Sequence, residues 1–383
     1  MNELNRLRQF PKIELHRHLE GSLRSETLWE FHCQQKQSMH ASLDALQHAC
    51  TIPEGDAPGF MAFLSRFEGL RFKYGGTEAL ERIAAEAVED AASDGVIHLE
   101  LRFSPVFCAR RMKDAIAMVP LVGMPETGYV PDRKSARQHM VAPIAVPPHG
   151  TTDTIHEAEV ASAAVIRGAR TAAKRFGISV SFIVTLARHF GYSTNLPAAN
   201  LLDRPIGSML CGLDLAGAET HPDTEFEPML KAWQAAGRPL TLHAGEDPCG
   251  GGPEKIRQSL QLGATRIGHG VRAIEDPELV SLLATRRVPL EMCPTSNMQT
   301  HACRSFETHP MKALLEAGVN VTLNTDDPSI SRTTLSAEYL HALNDCGLSW
   351  SQLRTCALNA ARAVFLPSTK RQELVARIEE SWK

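Results

Sequence analysis

Eight short apolar runs, at 12–16, 96–103, 178–186, 212–215, 239–243, 266–269, 288–292 and 319–324, punctuate the chain, and its polar residues gather at their C-terminal ends. His16, His18, Arg102, His189, Asp214, His243, His269 and Asp326 all lie at or just past the end of a run. Between the runs stand helix signals. Thr77 followed by 78–92 reads as a capped helix stopped at Gly95, and 153–175 is long and alanine-rich. Asp276-Pro277 pairs an N-cap with a proline at the first helical position, and the segment from Met311 to Ala317 ends at Gly318. Run-then-helix repeated eight times predicts an α/β fold, a parallel (β/α)8 TIM barrel, whose C-terminal strand ends carry the active site. The runs 212–215 and 266–269 are short, and periodicity alone leaves their type open. The placement of the polar residues is what favours the barrel.

The 383 residues fit a single barrel domain over 1–383 with additional helices. Two segments exceed a minimal barrel. Residues 37–75 follow the first strand and contain Phe60, Phe63, Leu64 and Phe67. The second, 116–150, carries six prolines and little periodicity, and reads as a long insertion after strand 2, either a lid or a disordered surface loop. A formal charge of -4 without a basic cluster argues against nucleic acid or an anionic membrane as partner. The N-terminus lacks an apolar signal core, and no run reaches the ~18 apolar residues of a membrane span. Nine scattered cysteines, without CxxC spacing, suit a reducing cytoplasm better than a disulfide framework. Cys293 and Cys303 lie near the candidate site and read as buried structural thiols.

Alternate residues of a strand share a face, so His16 and His18 can reach one ion. His243 and Asp326 come from the fifth and eighth strand ends. In a closed barrel the first and eighth strands are neighbours and the fifth lies across, so the three strand tips, and with them all four side chains, can converge at the mouth. Nitrogen and oxygen ligands with a position left for water describe a catalytic zinc, which lowers the pKa of its water toward ~7. Glu246, three residues beyond His243, can donate or accept a proton there. His269 would stand on the other side of the water as base or electrostatic anchor, and Asp327 can turn toward substrate as its strand ends. A lone buried histidine is ordinarily a hydrogen-bonded core residue, and Asp-Asp-Pro is commonly a turn. The metal reading rests on four such features at four strand ends. Neither His-Glu-x-x-His nor the H-x-E with P-C-x-x-C of cytidine-deaminase-type sites occurs.

The chain resembles the adenosine deaminase family of amidohydrolase-type barrels. The matching pieces, in family order, are PKIELHRHLEGS at 11–22, FLSRF at 63–67, HLELRFSP at 98–105, DLAGAE at 214–219, HAGE at 243–246, RIGHG at 266–270, CPTSN at 293–297 and LNTDDP at 323–328. The resemblance implies one zinc per chain, held by His16, His18, His243 and Asp326. It implies that Glu246 protonates the purine N1, that His269 orients a metal-activated hydroxide, and that Asp327 contacts that hydroxide and N7. Gly217 would offer its backbone N–H to N3, Glu20 would meet the ribose, His18 would border the substrate, and Phe63, Leu64 and Phe67 would gate the purine.

The implied reaction is hydrolytic deamination of a 6-aminopurine nucleoside, adenosine or deoxyadenosine to inosine or deoxyinosine plus ammonia. The partner is then a small purine nucleoside, with oligomeric state open. Three departures stand out: Glu20 where many relatives have Asp, Ala218 for a polar residue, and the length of 116–150. They keep open adenine, aminodeoxyfutalosine or an N6-substituted adenine nucleotide as substrate. An amide- or ester-cleaving hydrolase is disfavoured by Glu246. A non-catalytic relative would have lost a ligand or the acid, and all are present.

Overall fold

The computed structural model describes residues 2–34, 40–53, 55–70, 74–112 and 152–382. The predicted insertion at 116–150 lies outside the described residues, as do parts of 37–75. Eight parallel strands run in sequence order around the barrel: β1 (Lys12–His18), β2 (Val96–Phe103), β3 (Ser179–Ala187), β4 (Leu210–Ala216), β5 (Leu240–Ala244), β6 (Arg266–His269), β7 (Pro289–Met292) and β8 (Asn320–Leu323). Each predicted run is a strand, the two short ones included. β4 is longer than its apolar pattern because its flanking residues also pair with β3.

Period-two alternation sorts each strand. On β2, Leu99, Leu101 and Phe103 are fully buried apolar residues, whereas His98, Glu100 and Arg102 occupy the opposite face and are equally buried. A strand buried on both faces is ordinary for a helix-wrapped barrel. One apolar cluster runs from Leu7 to Trp382 and joins the strands to their helices.

Helix signals mostly hold. Asp276 caps Pro277–Arg286, its carboxylate accepting from the N–H groups of Glu278 and Leu279, both at 3.0 Å. Thr77 differs from expectation. The helix is Thr77–Ser93 with Gly76 at the N-cap, because the Thr77 hydroxyl turns to the Glu78 carboxylate at 3.3 Å instead of to a backbone N–H.

The β1–β8 seam is built differently from the other seven. Its backbone pairing is a single bridge, with His18 N–H donating to Asp326 O and Asp326 N–H to His16 O, each at 2.9 Å. Below it, side chains replace the ladder. The Asn324 Oδ1 accepts from Leu15 N–H at 2.9 Å, and the buried Glu14 carboxylate accepts from both the N–H and the hydroxyl of Thr325. The bridge ties two metal-ligand candidates of β1 directly to a third beyond β8.

Candidate active site

β1 delivers His16 and His18 to the mouth. Its end is pinned by Ser22, whose hydroxyl accepts from Arg17 Nε at 3.0 Å and donates to His18 O at 2.6 Å. Across the barrel β5 delivers His243. The His18 and His243 Nε2 atoms face each other at 3.2 Å, and Asp326 Oδ1 lies 3.1 Å from His16 Nε2 and 3.4 Å from His18 Nε2. One ligand atom from each of His16, His18, His243 and Asp326 falls within 4.8 Å of the others. His16 Nε2 is buried without a hydrogen bond of acceptable geometry despite Asp326 nearby. Three imidazoles and a carboxylate aimed at one point, one nitrogen so orphaned, fit a divalent ion.

The far side of two of the imidazoles is fixed by carboxylates. His16 Nδ1 bonds Glu291 at 2.8 Å and His243 Nδ1 bonds Asp214 at 2.9 Å, which leaves each Nε2 with its lone pair toward the centre. Arg102 spans both acids, at 3.2 Å from Asp214 and 2.7 Å from Glu291. Beneath, Arg266 reaches Glu291 at 2.6 Å and Glu100 at 2.6 Å, and Glu100 accepts from Phe365 N–H at 2.5 Å. Burial alone would raise both acids, but His243 and Arg102 hold Asp214, and Arg102 and Arg266 hold Glu291, well below the usual carboxylate range.

Asp326 and Asp327 are neighbours, yet both are buried at the site. Asp326 sits in the left-handed region at φ 64°, which breaks strand alternation. Asp327 Oδ1 has no hydrogen-bond partner among the described residues, and a Cβ on Gly21 would lie 1.8 Å from it. The glycine of HLEGS therefore makes room for this carboxylate. His269 is also left-handed at φ 61°; its Nε2 lies 3.3 Å from Glu246 and 4.0 Å from Asp326. Such backbone is costly for a non-glycine residue, and two instances converge here.

Charge separates the carboxyls of the mouth. Burial, then the charges of Asp326, Glu219 and Asp247, pushes Glu246 well above its ordinary pKa. Asp327 is raised likewise, by burial and then Asp326 and Glu20. Burial opposes ionisation of Asp326 too, but His16 and His269 hold it well below. Burial and neighbouring charge thus favour the proton on Glu246 and the charge on Asp326, the separation that general-acid chemistry requires. Burial raises Glu20 to about 7, and its Oε1 accepts from Ser104 N–H at 2.7 Å.

Phe63, with Phe67 against it, packs on Ile52 and Ile330; Ile330 lies in the turn just after Asp327, and Leu64 is half-buried. Gly217 has φ 87° and would place a Cβ 2.7 Å from His189 Nδ1, while its carbonyl accepts from Arg188 at 3.1 Å. Arg188 also bonds His243 O at 2.7 Å and Asp223 at 2.6 Å, so like Arg102 it braces the mouth.

Three holding residues were not singled out in the sequence. Glu219 accepts from the N–H groups of Gly245 at 2.9 Å, Glu246 at 2.8 Å and Asp247 at 3.3 Å, fixing the loop that carries Glu246. Ser296 donates to Asp326 Oδ2 at 2.8 Å, and Asn297 meets His269 Nδ1 at 2.9 Å. Their signals were present, as the last letters of DLAGAE and CPTSN. Cys293 and Cys303 are buried, as expected, and burial pushes both thiols up. No helix among the described residues is long and apolar enough to cross a membrane.

The adenosine deaminase family model matches residues 11–381. An adenosine deaminase from Vibrio cholerae is 34% identical over 372 residues, 96% of this chain and 97% of that protein. An amidohydrolase from Burkholderia ambifaria, solved with bound zinc, superposes with a TM-score of 0.77 at 21% identity, covering 99% of this chain and 92% of its own. An adenine deaminase from Arthrobacter aurescens gives 0.75 at 22% identity, covering 97% and 98%. At these identities the two structures establish the barrel; the family model and the Vibrio relative establish kinship, and the chain belongs to the adenosine deaminase family of hydrolases.

Proposed function

We propose that this chain hydrolyses the 6-amino group of adenosine or deoxyadenosine, giving inosine or deoxyinosine and ammonia. The observation that carries it is the buried carboxyl of Glu246, 3.3 Å from His269 and beside the His16–His18–His243–Asp326 cluster, its pKa raised by burial and by the neighbouring acids. A peptide or ester hydrolase needs a base there at neutral pH; an aminopurine, whose ring nitrogen must be protonated before C6 accepts a nucleophile, needs an acid.

His16, His18, His243 and Asp326 would hold one zinc ion, which when bound supplies an acidified water as nucleophile. Glu246 delivers its proton to N1, making C6 electrophilic. His269 orients the attacking oxygen. Asp327, whose pKa burial raises, contacts the attacking oxygen and N7. The Gly217 N–H meets N3. Phe63, Leu64 and Phe67 exclude water from the purine, and Glu20 and His18 border the sugar. Water adds at C6 and the amino nitrogen leaves as ammonia, so C–N is exchanged for C=O with no redox partner. The Vibrio relative, an adenosine deaminase matched over nearly its whole length, supports a nucleoside rather than a free base.

The test is loss of adenine-ring ultraviolet absorbance on zinc-loaded protein, with adenosine, deoxyadenosine, adenine and AMP side by side. The expected result is rapid loss with both nucleosides. Turnover of adenine or AMP alone would overturn the choice of substrate, and turnover of none would overturn the assignment to these purines.

A further inference from the structure

The catalytic histidine is gripped from behind. Asn297 Nδ2 lies 2.9 Å from His269 Nδ1. Asn297 Oδ1 accepts from Cys293 N–H at 3.1 Å and faces His309 Nε2 at 3.3 Å. His309 Nδ1 in turn accepts from Met311 N–H at 3.2 Å. His269, Asn297 and His309 are all buried, the last 5% exposed.

Amide and imidazole orientations in such a chain could each be read two ways, but the two backbone N–H groups at its ends cannot reverse. Cys293 N–H requires an oxygen, so Oδ1 faces it and the amide nitrogen faces His269. An amide nitrogen only donates, so His269 Nδ1 is the acceptor and its proton sits on Nε2. From the other end, Met311 N–H requires a lone pair on His309 Nδ1, so the His309 proton is on Nε2 and points at Asn297 Oδ1. Both derivations agree at Asn297. Burial pushes the His309 imidazole down to about 3, so it is neutral and single-tautomer at working pH.

We propose that His309, acting through Asn297, is a positioning residue that locks His269 in the tautomer carrying its proton on Nε2. His269 then meets the attacking oxygen as a hydrogen-bond donor and not as its base. The inference rests on the deaminase reading for its catalytic meaning. The tautomer itself is independent of it. The same short helix, Pro294–Gln299, also holds the Asp326 carboxylate through Ser296, so one turn sets both the ligand and the histidine beside it. Among the described residues no hydrogen bond or ion pair joins His309 to His16, His18, His243 or Asp326; it lies 12 residues from Asn297 and is invisible to a search for strand-end residues.

The experiment is long-range 1H–15N correlation on zinc-loaded holoenzyme labelled with 15N-histidine, with the His269 signals assigned from a His269→Asn variant. Wild type should show a protonated Nε2 and unprotonated Nδ1 at His269. Asn297→Asp keeps the acceptor for Cys293 and His309 but turns an acceptor toward His269 Nδ1. It should move the proton to Nδ1 and lower kcat on the order of a hundredfold at little changed KM. His309→Leu removes one of the two donors that hold Asn297 Oδ1 and should let the other His269 tautomer appear beside the first, with kcat down about tenfold, and His309→Gln, whose amide can donate in place of Nε2, should restore it. A His269 proton on Nδ1 in wild type, or a tautomer unmoved by Asn297→Asp and His309→Leu, would overturn the proposal. The spectra decide this even if no tested purine is turned over, which keeps its failure separate from failure of the deaminase reading.

Discussion

The barrel interior holds two sets of buried ionisable groups, and only the lower one is internally complete. Beneath the mouth, Arg102 and Arg266 alternate with Asp214, Glu291 and Glu100 so that every carboxylate meets a guanidinium within 3.2 Å. At the mouth, Asp326 lies against His16, His18 and His269, Glu246 lies against His269, and Glu20 and Asp327 stand beside them; no described ion pair joins these four acids to a lysine or arginine. The lower set is a scaffold that orients imidazoles. The upper set is an electrostatic debt that a cation and a protonatable ring would settle. Burying paired charges adds little net stability, so the lower layer is better understood as fixing geometry.

The largest effect should come from removing a ligand of the upper set. His243→Ala is expected to lose zinc on dialysis and to fall below about a thousandth of wild-type turnover, as the water reverts toward its bulk acidity. Full zinc occupancy, read by elemental analysis, would show that the cluster is not the site. Next, Glu246→Gln should keep its zinc yet lose about 10²–10⁴ in turnover, separating the acid from the ligands. Near-normal rates in that variant would remove N1 protonation by Glu246 from the mechanism.

In the lower set, Glu291→Gln leaves Arg102 and Arg266 short of a charge. Denaturant unfolding should register a loss of about 3–5 kcal/mol, with zinc affinity reduced about 10–100-fold through His16. A variant as stable as wild type would erase the distinction between the layers.

The smallest effect is at the edge of the mouth. Glu20 binds its proton more tightly folded than unfolded, with a folded value of about 7 against an ordinary 4.5. Its stability contribution is therefore complete below about pH 4.5 and is lost as pH rises to about 7, an amount of about 3 kcal/mol. Glu20→Gln should flatten that part of the stability–pH curve in zinc-loaded protein. Parallel curves for the two proteins would show that Glu20 is ionised in the fold.

How much of this was legible follows the same division. The strands and mouth residues could be read because barrel chemistry sits at strand ends, where an apolar run stops at His16, His243 or His269. The lower layer was harder, because Glu100 and Glu291 lie inside strands, where they read as interruptions of apolar runs, and Arg266 opens one. The β1–β8 seam was opaque for another reason: Asn324 and Glu14 substitute side chains for a ladder, which no periodicity records. Adjacent Asp326 and Asp327 facing one site needed a left-handed backbone at Asp326 that the letters do not announce. His309 is joined to the site only by tertiary contact.

The most direct test of an upper set completed by a cation is to strip the protein with chelator and titrate zinc back while following ammonia release from adenosine. Activity should be absent at the start and rise linearly to a plateau at one zinc per chain. Full turnover by protein shown to be metal-free would contradict it.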